Sequence, residues 1–325
     1  MAATPASPQV IQWILDTRGL WPEARQSREL GTHASRAIAL LSDEDKEKVF
    51  RHYHVRDAKM VLGSQLLKHY LVAKFCHVPW REVKLTRDEH KKPIYRDPVT
   101  GKLPLAFNVS HQAGLVVLSA VHGYDQATNG GGQVDVGVDV VCTSERRDRD
   151  LKTVQKDAWL GFVDTYADVF ARPEVNYLKY QILSSVPGVP RGAGVTQEEI
   201  VDFKLRCFYT IWCLREAYVK MTAEALLADW LGQLEFRNFV PPAPTPGFDV
   251  PAEEDGPQVV RDHEIYFRGR KVDDANVCLR ALGPDYIFAT AVRTTPNKDD
   301  GLAFELGPFE MLSIDDVLDF AESHL

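Results

Sequence analysis

The stretch from about Glu198 to Leu227 constrains this chain most, because it reads as one long helix with a chemical stripe on it. Leu205, Phe208, Tyr209, Ile211 and Leu214 give it the apolar bulk of a core helix. Trp212, Glu216 and Lys220 fall four apart and therefore share one side. Two readings of that side compete. A Glu–Lys pair at i,i+4 stabilises a surface helix by about 0.2–0.5 kcal/mol and needs no further purpose. The other reading is a site, with Glu216 as metal ligand or base and Lys220 as a phosphate contact. It requires a second carboxylate and more phosphate binders elsewhere in the chain.

The rest of the sequence supplies the frame for such a helix. Val10–Asp16 reads as a strand, Ser42 as a helix N-cap with Asp45 three residues on, and Arg56–Phe75 as a second long helix that His77-Val78-Pro79 ends. Val83–Thr86, Phe107–His111 and Leu115–Val121 read as strands, with a basic turn at His90–Pro93. Val134–Val141 is a buried strand, Glu145–Asp150 a charge-dense loop, and Trp159–Phe170 a helix. Beyond the long helix come strands near Gln233–Phe239, Glu264–Phe267, Asn276–Leu282 and Tyr286–Val292, an irregular proline-rich insertion at 241–257, and a terminal helix over Ser313–Leu325. Strand, helices and strands thus occur twice. The expected architecture is α/β (α+β), built as two pseudo-symmetric α/β halves with the active site at their interface. The expected divisions are an N-terminal half over 1–128, a Gly-rich linker over 129–133, a C-terminal half over 134–293 and a tail over 294–325.

Bulk properties narrow the function. A length of 325 residues suits one large or two ordinary domains. No apolar run is long enough to span a membrane. The five cysteines are scattered and odd in number, which fits a reducing compartment, and residues 1–10 lack the basic and apolar features of a targeting segment. A cytoplasmic monomer is expected. The net charge of −8 argues against a general nucleic-acid binder, but a local basic cleft for an anionic small molecule is compatible with it.

Three stretches offer partners for Glu216 and Lys220. Asp139, in Gly137-Val138-Asp139, is either a turn-forming residue at a strand end or a Mg²⁺ ligand. One or two carboxylates plus phosphates and waters satisfy that ion. His111 is either a packed histidine or, with Ser110, a phosphate contact. A serine nucleophile is the weaker reading, since neighbouring strand residues point to opposite faces and no nucleophile elbow is present. Lys46, Lys48, Arg51, Lys59, Lys91 and Lys92 are individually ordinary solvated lysines and arginines, yet together could hold several phosphates.

Phe107-Asn108-Val109-Ser110-His111, Gly137-Val138-Asp139 and Trp212-x-x-Arg215-Glu216-Ala217-Tyr218-x-Lys220, in this order, resemble the 4′-phosphopantetheinyl transferases of the Sfp type. Arg56-Asp57-Ala58-Lys59 with Leu62-Gly63, and the Lys92-Pro93 turn, resemble further blocks of that family. The run from Glu216 to Leu227 resembles its fungal, broad-substrate branch. The resemblance implies transfer of 4′-phosphopantetheine from coenzyme A to a serine of apo acyl or peptidyl carrier proteins, releasing adenosine 3′,5′-bisphosphate. The carriers could be of fatty-acid, polyketide, peptide-synthetase or aminoadipate-reductase type, which the motifs do not separate. It also implies Mg²⁺ (or Mn²⁺) on Asp139 and Glu216, and CoA phosphates on Ser110, His111 and Lys220. Lys48, Lys59 and Lys92 would lie around the nucleotide. Glu216 is the expected base, and the carrier is expected to dock near Gln112–Leu115 and the loop after Asp139.

The sequence departs from the bacterial pattern at two places. Val141 stands where a second acid is usual, and Arg215 replaces the usual Lys. Glu174 matches an acidic family position and is a candidate to complete the metal shell. Val141→Glu is expected to be tolerated. Two rivals remain: a non-catalytic CoA-binding module of the same fold, and a metal-dependent phosphohydrolase using Asp139 and Glu216.

Overall fold

The computed structural model describes residues 8–124, 132–223, 230–245, 247 and 259–325. Two like units are built around one long helix each. The first contains β1 (Gln9–Asp16), the short helices α1 (Leu30–His33) and α2 (Ser35–Ala39), then α3 (Asp43–Phe50) and α4 (Val55–Cys76). The small hairpin β2 (Leu85–Arg87) and β3 (Pro93–Tyr95) follows, and then β4 (Leu105–Gln112) and β5 (Leu115–His122). The second unit opens with β6 (Gln133–Cys142). It continues with α5 (Arg147–Asp164), α6 (Arg172–Tyr180), α7 (Ile182–Ser185) and α8 (Gln197–Thr222). A three-stranded sheet of β7 (Leu234–Arg237), β8 (Glu264–Phe267) and β9 (Arg270–Lys271) precedes β10 (Ala275–Leu282) and β11 (Tyr286–Thr295).

The repeat is visible in the pairing. β1 lies antiparallel to β5, and β5 to β4; likewise β6 lies antiparallel to β11, and β11 to β10. In each unit the long helix lies near its sheet, α4 on the first and α8 on the second. The helix ends carry recognisable signals: Ser42 caps α3 by accepting from the Asp45 N–H, Thr196 and Glu199 form a capping box on α8, and His77 ends α4 in a left-handed conformation.

Where the sheets meet, side chains replace a backbone ladder. Asn108 on β4 accepts from the Val138 N–H of β6 at 3.3 Å, and Gln112 accepts from the Cys142 N–H at 3.2 Å. Ile14, Leu115, Val117, Val138, Val140 and Phe288 form an apolar cluster across this seam. The even-numbered residues of β6 thus face the first unit. Its odd-numbered residues face α8, by the alternation of a strand.

Two expectations change. Glu145–Asp150 is not all loop: α5 begins at Arg147, runs to Asp164 and kinks at Ala158, and only a short 3-10 turn follows before Phe170. Asp148 and Asp150 lie in its first turn, where acidic side chains stabilise the positive end of a helix, so a charge run that reads as loop is a helix start. The expected terminal helix is present, and the residues set apart as a tail pack back on the first unit. After α9 (Lys298–Leu302), β12 (Glu310–Met311) pairs parallel with β1, and α10 (Ile314–Ser323) places Val317, Leu318 and Ala321 in the core of the first unit. Residues 129–131 of the expected linker, 224–227 of the long helix and most of the 241–257 insertion lie outside the described residues.

Candidate active site

α8 is buried on nearly every side over its last three turns, apart from one line. Ile211, Cys213, Leu214, Arg215, Ala217, Tyr218 and Val219 are buried, while Trp212, Glu216 and Lys220 are half-exposed. β6 passes directly beneath it because Gly137 has no side chain. A Cβ there would stand 2.0 Å from the Ala217 carbonyl oxygen and 2.4 Å from the Met221 nitrogen. Two residues on, Asp139 shares that face of β6.

The result is a closed set of contacts across the seam. Lys220 Nζ donates to Asp139 Oδ1 at 2.6 Å and to Ser110 Oγ at 2.9 Å, and Ser110 Oγ donates to Asp139 Oδ1 at 2.8 Å. One unit contributes Ser110 and the other Asp139 and Lys220. Burial opposes the Lys220 charge, yet Asp139, with Glu216 behind it, holds its ammonium above the ordinary lysine value. Burial first, and the Asp139 charge second, push the Glu216 carboxyl up to about 7, against the pull of Lys220 and Arg215. Glu216 Oε1 is buried with no hydrogen-bond partner among the described residues. An orphaned carboxylate oxygen beside a second carboxylate suits a hard divalent cation. Two protein oxygens with phosphates and waters are a usual Mg²⁺ set. Among the described residues no group of three or more His, Cys, Asp or Glu could hold a metal.

The other sequence-predicted residues fall in different places. His111 follows Ser110 on β4 and so points to the other side of the strand; it is exposed. Partial desolvation, then the Lys220, His52 and Lys68 charges, hold its pKa below the ordinary histidine value. Lys92 donates to the Val136 carbonyl at 2.7 Å and the Lys220 carbonyl at 3.4 Å, so it meets the C-terminal end of α8 with its ammonium on backbone oxygens. It lines a hollow of about 400 Å³ with His90, Arg96, Asp135, Thr222 and Ala223. Lys48 pairs with Glu44 and Asp45 of its own helix. Lys59 borders a different hollow, of about 400 Å³, with Arg18, Arg56, Ala113, Glu145 and Tyr286.

The two departures from the bacterial pattern have structural explanations. Glu174 does not complete a metal shell. It is fully buried, accepts from the Ala171 and Phe236 N–H groups and pairs with Arg215 at 2.8 Å. Arg215 also donates to the Leu231 and Leu234 carbonyls, so its guanidinium ties α8 to α6, to the turn before β7 and to the first residue of β7. A lysine could not make that fork. Val141 is 4% exposed and packs in the apolar core that holds Trp159, Phe162 and Leu214. A glutamate there would enter that core on the same face of β6 as Asp139, so burial argues against the expected tolerance, and a melting curve of Val141→Glu decides between them.

Sequence reasoning missed Asn108 and Gln112 as bridges, although their spacing of two on either side of Ser110 marks one polar face of β4. It also missed Cys213, whose thiol lies 3.6 Å from the Asp139 carbonyl and 3.5 Å from that of Ile287 beneath α8.

Two carboxylates, an ammonium and a hydroxyl gathered where two like units meet suit an enzyme that handles a phosphate ester with a divalent cation. A family model described as the N-terminal part of 4′-phosphopantetheinyl transferase matches residues 30–123. The chain is 46% identical to 4′-phosphopantetheinyl transferase 1 of Fusarium mangiferae over 99% of its own length and 98% of that protein's. It is 33% identical to 4′-phosphopantetheinyl transferase NpgA of Emericella nidulans, over 90% and 84% of the two chains. The L-aminoadipate-semialdehyde dehydrogenase-phosphopantetheinyl transferase of Mus musculus is 31% identical over 42% of this chain and 40% of its own. The protein belongs to the 4′-phosphopantetheinyl transferases and is an enzyme of the fungal type.

Proposed function

We propose that this enzyme moves 4′-phosphopantetheine from coenzyme A to a serine hydroxyl of an apo carrier protein, at the Ser110–Asp139–Glu216–Lys220 cluster. The observation that carries the proposal is the orphaned Glu216 oxygen beside Asp139 and Lys220, with Ser110 brought in from the other unit. In the reaction the carrier serine oxygen bonds to the phosphorus that carries pantetheine. The bond from that phosphorus to the bridging oxygen breaks, and adenosine 3′,5′-bisphosphate leaves. Phosphoryl transfer of this kind asks mainly for positioning and for neutralised charge on the phosphate oxygens.

Each residue has a role in that scheme. Asp139 and Glu216 would hold Mg²⁺, which would supply Lewis-acid neutralisation of the pyrophosphate charge. Lys220 and Ser110 hold the phosphates by charge-assisted and hydroxyl hydrogen bonds, so the Lys220–Asp139 pair of the free enzyme opens as substrate binds. His111, on the far side of the strand, meets the CoA phosphates from the first unit. Glu216 is the carboxylate assigned to receive the serine proton, directly or through a water. Carrier docking near Gln112–Leu115 and the turn after β6 is supported by the hollow there, whose lining includes Arg18, Arg56 and Lys59. All five cysteines are free thiols, which fits a reducing compartment such as the cytoplasm; no described helix is long and apolar enough to cross a membrane.

The test is intact-mass spectrometry of an apo carrier protein incubated with the enzyme, CoA and Mg²⁺, with and without chelator. The expected result is a mass gain of one phosphopantetheine that chelator prevents. CoA binding with no gain across several carrier types would replace the proposal with a binding module. CoA cleavage without a carrier would replace it with a phosphohydrolase.

A further inference from the structure

The seam between the two units is apolar at both ends and polar across its middle. Ile14, Leu115, Val117 and Val138 pack together at one end, and Val121, Val136 and Val292 at the other. Between them three buried polar residues cross the first sheet in register: Gln12 of β1, Ser119 of β5 and Asn108 of β4. Gln12 donates to Thr290 Oγ1 of β11 at 2.9 Å, and Asn108 accepts from the Val138 N–H of β6 at 3.3 Å. Thr290 and Val138 are themselves partners across the second sheet. One row of the first sheet is thus bonded at both of its ends to one row of the second. Ser119, in the middle, keeps a buried hydroxyl with no hydrogen-bond partner among the described residues, so its two neighbours bond across the seam and not to it.

Apolar packing is non-directional and tolerates a slide of one sheet on the other, whereas a buried oxygen facing a buried N–H fixes the register. The register matters because the cluster draws on both units. Asp139 and Lys220 both belong to the second unit and meet each other without help from the first. Ser110 comes from the first, two residues beyond Asn108 on β4, and reaches Asp139 Oδ1 at 2.8 Å and Lys220 Nζ at 2.9 Å.

We propose that Asn108 is a positioning residue for the transfer: its bond to the Val138 N–H sets β4 against β6 so that the Ser110 hydroxyl arrives at Asp139 and Lys220. This rests on the reading of the cluster as the transfer site. Gln112 makes a similar bond to the Cys142 N–H, at 3.2 Å, but also donates to Glu145 beyond the end of β6. Val138 is the residue next to Asp139, and Cys142 is three away, so Asn108 holds the point nearer the cluster.

The experiment is a double-mutant cycle on the full-length enzyme, read as initial rates of carrier loading at varied CoA. Asn108→Leu keeps the volume of the side chain and removes the acceptor. It should raise the KM for CoA about 10-fold, the size of one lost hydrogen bond to a charged group. The kcat should fall only a few-fold, because Asp139, Glu216 and Lys220 stay together on the second unit. Ser110→Ala should behave the same way. The double variant should be no worse than Ser110→Ala alone, since a displaced serine and a deleted one are equivalent. Independent effects multiplying to about 100-fold would overturn the assignment. Mg²⁺ should raise the melting temperature of Asn108→Leu as much as that of the wild type; loss of that shift would also overturn it, as the mark of a generally disordered site. Asn108→Ala serves for the same cycle if the leucine prevents folding. The wild type alone gives a further reading, since hydrogen exchange at the Val138 amide should be slow, and exchange as fast as in an exposed loop would refute the bond. A wild type that loads no carrier refutes the transfer reading, and the exchange result then still decides for or against the Asn108 bond.

Discussion

Glu216 is the residue where structure and chemistry pull hardest against each other. In an unfolded chain its carboxyl titrates near 4.5, while in the folded, metal-free protein it titrates at about 7. Between those values the folded state holds the proton more tightly than the unfolded state does. Stability therefore falls as pH rises from about 4.5 to about 7, by on the order of 1–3 kcal/mol, and Glu216→Gln removes that fall. Urea denaturation between pH 4.5 and 8 in chelator measures it; identical pH profiles for both proteins would contradict the burial described. The same variant separates metal binding from activity. At pH 8, Mg²⁺ should raise the melting temperature of the wild type and leave Glu216→Gln unmoved, because a cation that binds only the native state stabilises it. The four-residue spacing of Trp212, Glu216 and Lys220 made this stripe readable from sequence, since helix periodicity fixes which side chains are neighbours. Whether the stripe was surface or site depended on Asp139 and Ser110, which lie 77 and 106 residues before Glu216 and meet it only through tertiary structure.

At the scale of elements, the site depends on how closely α8 approaches β6. Gly137 sets that distance, and its missing Cβ is a steric requirement, as the chain is not in a left-handed conformation there. Gly137→Ala would drive a methyl against the backbone of α8, where no rotamer change can relieve it. The expected cost is about 1–3 kcal/mol or more, with transfer activity lost in whatever fraction stays folded, because Asp139 and Lys220 would no longer meet. Denaturation together with the mass assay checks both parts; wild-type stability would mean that α8 is not seated on β6. Gly-x-Asp was legible as a motif, but the reason for its glycine was not, since that reason is a helix 80 residues further on. The same limit explains Glu174 and Arg215, whose charges are committed to each other and to backbone groups that only packing brings near, and the position of Lys92, whose ammonium meets backbone carbonyls at the edge of a hollow.

The whole molecule is held as two units by a chain that crosses between them more than once. β12 returns to pair with β1, and Trp13 donates its indole N–H to Glu310 at 2.9 Å. Gln12 of β1 bridges to Thr290 of β11 and accepts from the Gly307 N–H of the returning segment. Phe309 packs on Phe288 in the seam, and α10 then fills the core of the first unit. Sequence order suggested a tail because nothing in Ser313–Leu325 names its partner; an amphipathic helix shows that it has an apolar face and not which core receives it. The geometry assigns it a consequence for the site. Ser110 and Asp139 are brought together by the relation between the units, so a segment that belongs to both should matter to catalysis from a distance. Leu318 is 4% exposed in the core of the first unit, far along the chain from every site residue. Leu318→Ala should cost about 2–5 kcal/mol of stability, as other buried leucines do. A true appendage would show no such loss. In the folded fraction the KM for CoA should rise more than the transfer rate falls, since the variant loosens the seam that gathers the phosphate contacts while leaving Glu216 and Lys220 on an intact α8. Equilibrium denaturation and initial rates at varied CoA measure the two effects; unchanged stability with full activity would show that the returning segment is dispensable.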